Sequence, residues 1–175
     1  MKHFAAVVIL VSVSLTVFFS GCKREVTFPP EPAITFKEFK KLGNDSAQII
    51  ISFTDGDGDI GLAQDDTFPP HNNGSKDYYN FFMRYYYKDT NGNFVPYLAY
   101  LNTDTVLDTL DFNYRVPYLT QNGQKESLTG DIIITMQPFP IYYVNGHQTI
   151  RYEIYIRDRE LNQSNKVMSD DISTQ

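Results

Sequence analysis

The stretch Thr149-Ile150-Arg151-Tyr152-Glu153-Ile154-Tyr155-Ile156-Arg157 decides the fold. Ile150, Tyr152, Ile154 and Ile156 alternate with Thr149, Arg151, Glu153, Tyr155 and Arg157, a period of two that lays one set on each face of a strand; a helix would scatter both sets around its circumference. The same alternation recurs upstream. Ile132, Ile134 and Met136 repeat it beside Asp131 and Thr135, while Ala47, Ile49, Ile51 and Phe53 repeat it against Gln48 and Ser52, with Ile50 the exception. Tyr79, Phe81, Met83, Tyr85 and Tyr87 form one face of a longer strand. Asn91-Gly92 then falls between two aromatic runs, where residues able to adopt positive φ suit a tight hairpin. Pro96 in the following strand cannot donate to a ladder, which assigns that strand to an edge.

These segments predict seven or eight strands, at about 34–40, 47–54, 78–88, 93–101, 111–116, 129–136, 149–158 and 166–172. Short strands, frequent turn residues and the lack of a useful amphipathic helix point to an all-β, antiparallel two-sheet sandwich of immunoglobulin-like type, with a closed barrel as the main alternative. Trp is absent and Cys occurs once, so the tryptophan and cysteine pair of antibody domains play no part in that expectation.

The N-terminus reads as an export signal over residues 1–21: Lys2 and His3 form a basic head, Phe4 to Phe19 an apolar run with small hydroxyl residues, and Ser20-Gly21-Cys22 a small-residue exit. The run is short for a bilayer span, which takes roughly 20 apolar residues. Cys22 is the only cysteine, so it cannot make an internal disulfide. Its position resembles the lipobox of bacterial lipoproteins, which implies that the thiol takes a diacylglycerol and becomes the new N-terminus; the alternative is a stray thiol beside an ordinary cleavage site. Acyl chains, at about 0.8 kcal/mol per buried methylene, would then hold the protein on a membrane. Residues 22–32, with Pro29, Pro30 and Pro32 among charged residues, read as a lipidated N-terminus and tether, and 33–175 as one domain. The formal charge of −6 becomes about −7 after cleavage, since Lys2 is the only formally charged side chain lost; an acidic body argues against nucleic acid as a partner.

The chemistry-bearing motif follows Thr54: Asp55-Gly56-Asp57-Gly58-Asp59-Ile60-Gly61-Leu62, then Asp65-Asp66. Alternate carboxylates spaced by glycine crowd negative charge that a hard cation can take up, and calcium accepts six to eight oxygens in flexible geometry. Asp55, Asp57 and Asp59 match positions 1, 3 and 5 of the EF-hand pattern and Asp66 the twelfth. The sixth is Ile60 rather than glycine and strands flank the loop, so the expectation is an Asp-rich loop site and not an EF-hand. A solvated turn whose aspartates bond nearby amides is the alternative. A second polar cluster, Asp158, Arg159, Glu160, Asn162, Ser164 and Asn165, would emerge at the same end of a sandwich. From it Asp158 and Asn162 either join the same ion or form a polar turn.

The phrase Phe53-Thr54-Asp55-Gly56-Asp57-Gly58-Asp59-Ile60-Gly61, with the late Ile156-Arg157-Asp158-Arg159-Glu160-Leu161-Asn162-Gln163-Ser164-Asn165, resembles the small uncharacterised lipoproteins of Bacteroidetes that pair a lipobox with an immunoglobulin-like domain. The resemblance implies location and fold more than an activity.

Tyr and Phe each occur 13 times. Tyr78, Phe82 and Tyr86 fall opposite the expected core face of their strand, where they would either stack on sugars or a partner protein, or pair across the sheet. Catalytic chemistry is hard to assemble: His71 and His147 lack metal-ligand spacing, and no nucleophile elbow or phosphate-binding glycine loop occurs. The sequence therefore predicts a non-enzymatic binding or structural module, lipid-anchored in the outer membrane on its periplasmic or outer face, with an envelope protein or glycan as partner and calcium in the acidic loop. A hydrolase using the bound metal as a Lewis acid is the alternative.

Overall fold

The computed structural model describes residues 28–100, 107–119, 126–137 and 146–174; residues 1–27, with the expected export signal and Cys22, lie outside the described residues. The strands are β1 (Ala33–Lys41), β2 (Ala47–Asp55), β3 (Phe81–Lys88), β4 (Phe94–Pro96), β5 (Leu98–Tyr100), β6 (Leu107–Thr109), β7 (Asp111–Tyr114), β8 (Leu128–Met136), β9 (Thr149–Ile156), β10 (Val167–Met168) and β11 (Ile172–Ser173). Pairing between them is antiparallel throughout, and no helix occurs among the described residues.

One sheet has the order β1-β2-β8; the other runs β10-β9-β3-β4, with β11 also on β9 and β7 also on β3. The inward residues of both meet in one apolar core, Ile49, Ile51, Ile132 and Met136 from the first and Met83, Tyr85, Tyr152 and Ile154 from the second. The fold is thus all-β and consistent with a sandwich. The burial of β9 alternates strictly from Thr149 to Ile156, as its sequence requires. Removing one such side chain, Ile154→Ala for instance, costs about 2–5 kcal/mol.

Several expected strands are shorter than their apolar patterns. The segment expected to start at Tyr78 starts at Phe81, because the Asn80 side chain takes over the pairing: its Oδ1 accepts from Val116 N at 2.6 Å and its Nδ2 donates to Val116 O at 3.1 Å. The one expected strand at 93–101 is two. Pro96 does stand on the edge strand β4, but Tyr97 donates to Tyr85 O and accepts from Leu110 N, and between those two residues the chain leaves the sheet as the separate ribbon β5–β6. The last expected strand breaks into β10 and β11 around Ser169, whose hydroxyl accepts from Tyr152 N at 2.9 Å; upstream, Ser164 Oγ accepts from Ile156 N at 3.0 Å in the same way. Two serine hydroxyls thereby satisfy ladder amides on the β10 side of β9.

The long 56–80 connection is built into the fold. Arg115 donates to three of its carbonyls, those of Ala63, Asp66 and Tyr78, and buried Asp77 pairs with Arg157 at 2.6 Å. Asn165 clips the sheets together, its Oδ1 accepting from Ile34 N and its Nδ2 donating to Ile34 O.

At the end of the core where β3 finishes and β9 begins, rings close the interior. Tyr85 Oη lies 3.1 Å from His147 Nδ1, the His147 ring stacks on Tyr87 with centroids 3.9 Å apart, and Tyr97 packs edge-on at 5.3 Å. Burial holds the His147 imidazole below its ordinary pKa.

Candidate metal centre

The opposite end is acidic, and strand periodicity explains why. On β2 the inward positions are Ala47, Ile49, Ile51 and Phe53, and the next in step is Asp55; on β9 they are Ile150, Tyr152, Ile154 and Ile156, and the next in step is Asp158. Both central strands therefore end their apolar stripes in an aspartate that points with the core, and both are buried, Asp55 at 0 % and Asp158 at 1 % exposure.

The loop after Asp55 curls back so that one carboxylate oxygen each from Asp55, Asp57 and Asp59 lie within 4.8 Å of one another. Asp55 Oδ2 accepts from Ile60 N at 3.2 Å. Asp55 Oδ1, Asp57 Oδ1 and Asp59 Oδ1 are buried with no hydrogen-bond partner in the protein. A buried carboxylate oxygen without a donor is costly, because the water it gave up is not replaced. The titration follows: burial first, then Asp57, pushes Asp55 up to about 6, and burial first, then Asp158, Asp57, Asp55 and Glu160, pushes Asp59 up to about 7. Asp158 is raised too, chiefly by burial. The three aspartates can hold a metal ion, whose charge would reverse that electrostatic balance.

The intervening glycines are there for space. A Cβ on Gly56 would fall 2.2 Å from Phe28 O and 2.4 Å from Pro29 O, and one on Gly58 would fall 2.0 Å from Glu126 O. Gly58 also holds φ +70°, which an L side chain rarely adopts. The loop is thus wrapped by the main chain leading into β1 and by the main chain leading into β8.

The remaining expected residues divide. Asp158 joins the acidic group electrostatically, and Asn162 holds it, donating from N to Oδ1 at 2.8 Å and from Nδ2 to Oδ2 at 2.9 Å. The second loop is therefore a tight polar turn that presents Asp158 to the cluster, with Asn162 as its clamp. Asp66 is not brought in: Oδ2 accepts from Ala63 N and Arg159 Nη1, and Oδ1 from Arg159 Nη2 at 3.0 Å. Its place at the twelfth position of a loop pattern fails because the chain after Leu62 is directed toward Val116, whose carbonyl accepts from Leu62 N, and not around the aspartates.

Tyr78, Phe82 and Tyr86 do not share an exposed face. Tyr78 precedes β3 and lies under Arg115, Phe82 is buried and stacks on its cross-strand partner Tyr155 at 4.6 Å, and Tyr86 Oη reaches Glu153 at 3.5 Å. Cross-strand pairing accounts for Phe82. Cys22 lies outside the described residues. The sequence reading missed the burial of Asp55 and Asp158, although the period of two, carried one step past Phe53 and Ile156, marks both. It also missed the approaches of Phe28, Pro29 and Glu126, for which glycine spacing was the sole signal. No protein-family model matches the chain, and no curated protein matches it in sequence.

Proposed function

We propose that the chain is a lipid-anchored protein of the cell envelope whose body is an immunoglobulin-like sandwich with calcium bound at its acidic end, and that it acts as a binding or structural module and not as an enzyme. The anchor is supported by the apolar run ending at Ser20-Gly21-Cys22 and the membrane reading by the short basic head before it. Outer-membrane placement, with a partner protein or glycan of the envelope, follows from that reading.

The observation that carries the ion is that Asp55, Asp57 and Asp59 each bring a carboxylate oxygen within 4.8 Å of the others, and each also has a buried oxygen with no hydrogen-bond partner. Oxygen-only donors favour a hard cation, and a glycine-spaced loop suits the variable coordination of calcium better than the strict octahedron of magnesium.

Calorimetry with calcium chloride on the mature chain, before and after Asp57→Ala, tests the ion. Heat and a raised melting temperature are expected for the native protein and neither for the variant; silence from the native protein removes calcium from the account. Mass spectrometry of the N-terminus tests the anchor. Cys22 carrying acyl chains is the expected first residue, and an unmodified thiol would end that part of the reading.

A further inference from the structure

Three carboxylate oxygens do not complete a shell of six to eight, and the loop is not alone at its site. Gly56 stands between Asp55 and Asp57 with the carbonyl oxygens of Phe28 and Pro29 against it; Gly58 stands between Asp57 and Asp59 with the Glu126 carbonyl against it. Main-chain carbonyl oxygens are the donors that calcium accepts beside carboxylates. Asp55 Oδ1 and Asp59 Oδ1, on residues 0 % and 8 % exposed that neighbour these glycines in the chain, are buried with no hydrogen-bond partner in the protein. Building on the calcium reading above, we propose that the ion is a clasp joining three separate segments: it sits among the loop carboxylates and takes further ligands from the main chain of Phe28–Pro29 and of Glu126. It thereby fastens the segment that enters β1, and whatever the chain carries before residue 28, to the acidic end of the domain.

The clasp and the simple loop site differ in what Gly56→Ala does. That variant keeps all of the aspartates, and Gly56 does not hold a positive φ, so the added Cβ acts by displacing the Phe28 and Pro29 carbonyls. Calorimetry with calcium chloride is expected to show affinity weakened tenfold or more. Native-like affinity in Gly56→Ala overturns the clasp while leaving the loop site standing, and no heat from the native chain overturns both. Should Gly56→Ala fail to fold, hydrogen exchange on the native chain decides. Calcium is expected to slow exchange in peptides covering 28–33 and 126–128 together with 55–61; slowing confined to 55–61 and 158–162 overturns the clasp.

Discussion

At one end of β3 and β9 the core runs out into carboxylates; at the other, six residues along the strands and thus roughly 20 Å away, it runs out into rings. Both ends face the same problem, since a core shared by two sheets must stop its apolar interior somewhere and strand alternation keeps delivering side chains to the inside. The aromatic end solves it within the protein. Tyr85, Tyr87, Tyr97 and His147 stack and hydrogen-bond among themselves. The acidic end leaves three carboxylate oxygens without donors. One end satisfies its polar groups as folded, and the other leaves oxygens open to a cation.

The largest expected effect is the ion itself. Calcium at about 100 times its Kd should add about 2.7 kcal/mol, which for a domain of this size raises Tm by about 5–10 °C. Scanning calorimetry should find that rise abolished in Asp57→Ala and preserved in His147→Ala; loss in both would mean the two ends are not independent.

Acidity should act on the ends with opposite signs. In calcium-free protein the folded-state values of Asp55 and Asp59, about 6 and about 7, exceed the ordinary 3.8. The folded state then binds more protons than the unfolded one between pH 7 and pH 4, and stability rises as pH falls through that window. His147 is depressed, so its contribution is present above pH 6.5 and is lost as pH falls below it. Urea titrations from pH 7.5 to pH 4.5 should show a net gain on acidification without calcium, larger still in His147→Ala, and no gain with saturating calcium.

At the ring end His147→Ala removes a hydrogen bond and a stacked pair, for about 2 kcal/mol of stability by urea denaturation. Asp66→Ala is the smallest and the most discriminating. It breaks the forked Arg159 contact and the bond from Ala63 N for about 1 kcal/mol, and because Asp66 stands apart from the cluster the calcium response should be intact.

Much of this was legible in the residues. The isoleucines and tyrosines of Thr149–Ile156 and the odd positions of Ala47–Phe53 place themselves, because alternation is a local property of a strand. The same rule, carried one step past Phe53 and Ile156, marks Asp55 and Asp158 as interior, a step the sequence reading did not take. What could not be read were substitutions of side chain for main chain: Asn80 pairing with Val116, Ser164 and Ser169 receiving amides of β9, Asn165 clipping Ile34. Each depends on two segments distant in sequence meeting, and a polar residue in a loop looks the same whether or not it has such a partner. The fate of Asp66 belongs to this group, since its spacing matched a ligand while its true partner lay 93 residues away.

The ribbon β5–β6 starts and finishes at one spot, for Leu110 N donates to Tyr97 O at 3.0 Å where the chain departs and returns. β5 and β6 form a two-stranded sheet of their own, so Leu98–Tyr100 and Leu107–Thr109 stand on that spot as a ribbon separate from the six-stranded sheet. Any insert whose two termini come within hydrogen-bonding reach should plug in there without disturbing a ladder, which makes this corner the natural place to graft a foreign epitope or a reporter peptide.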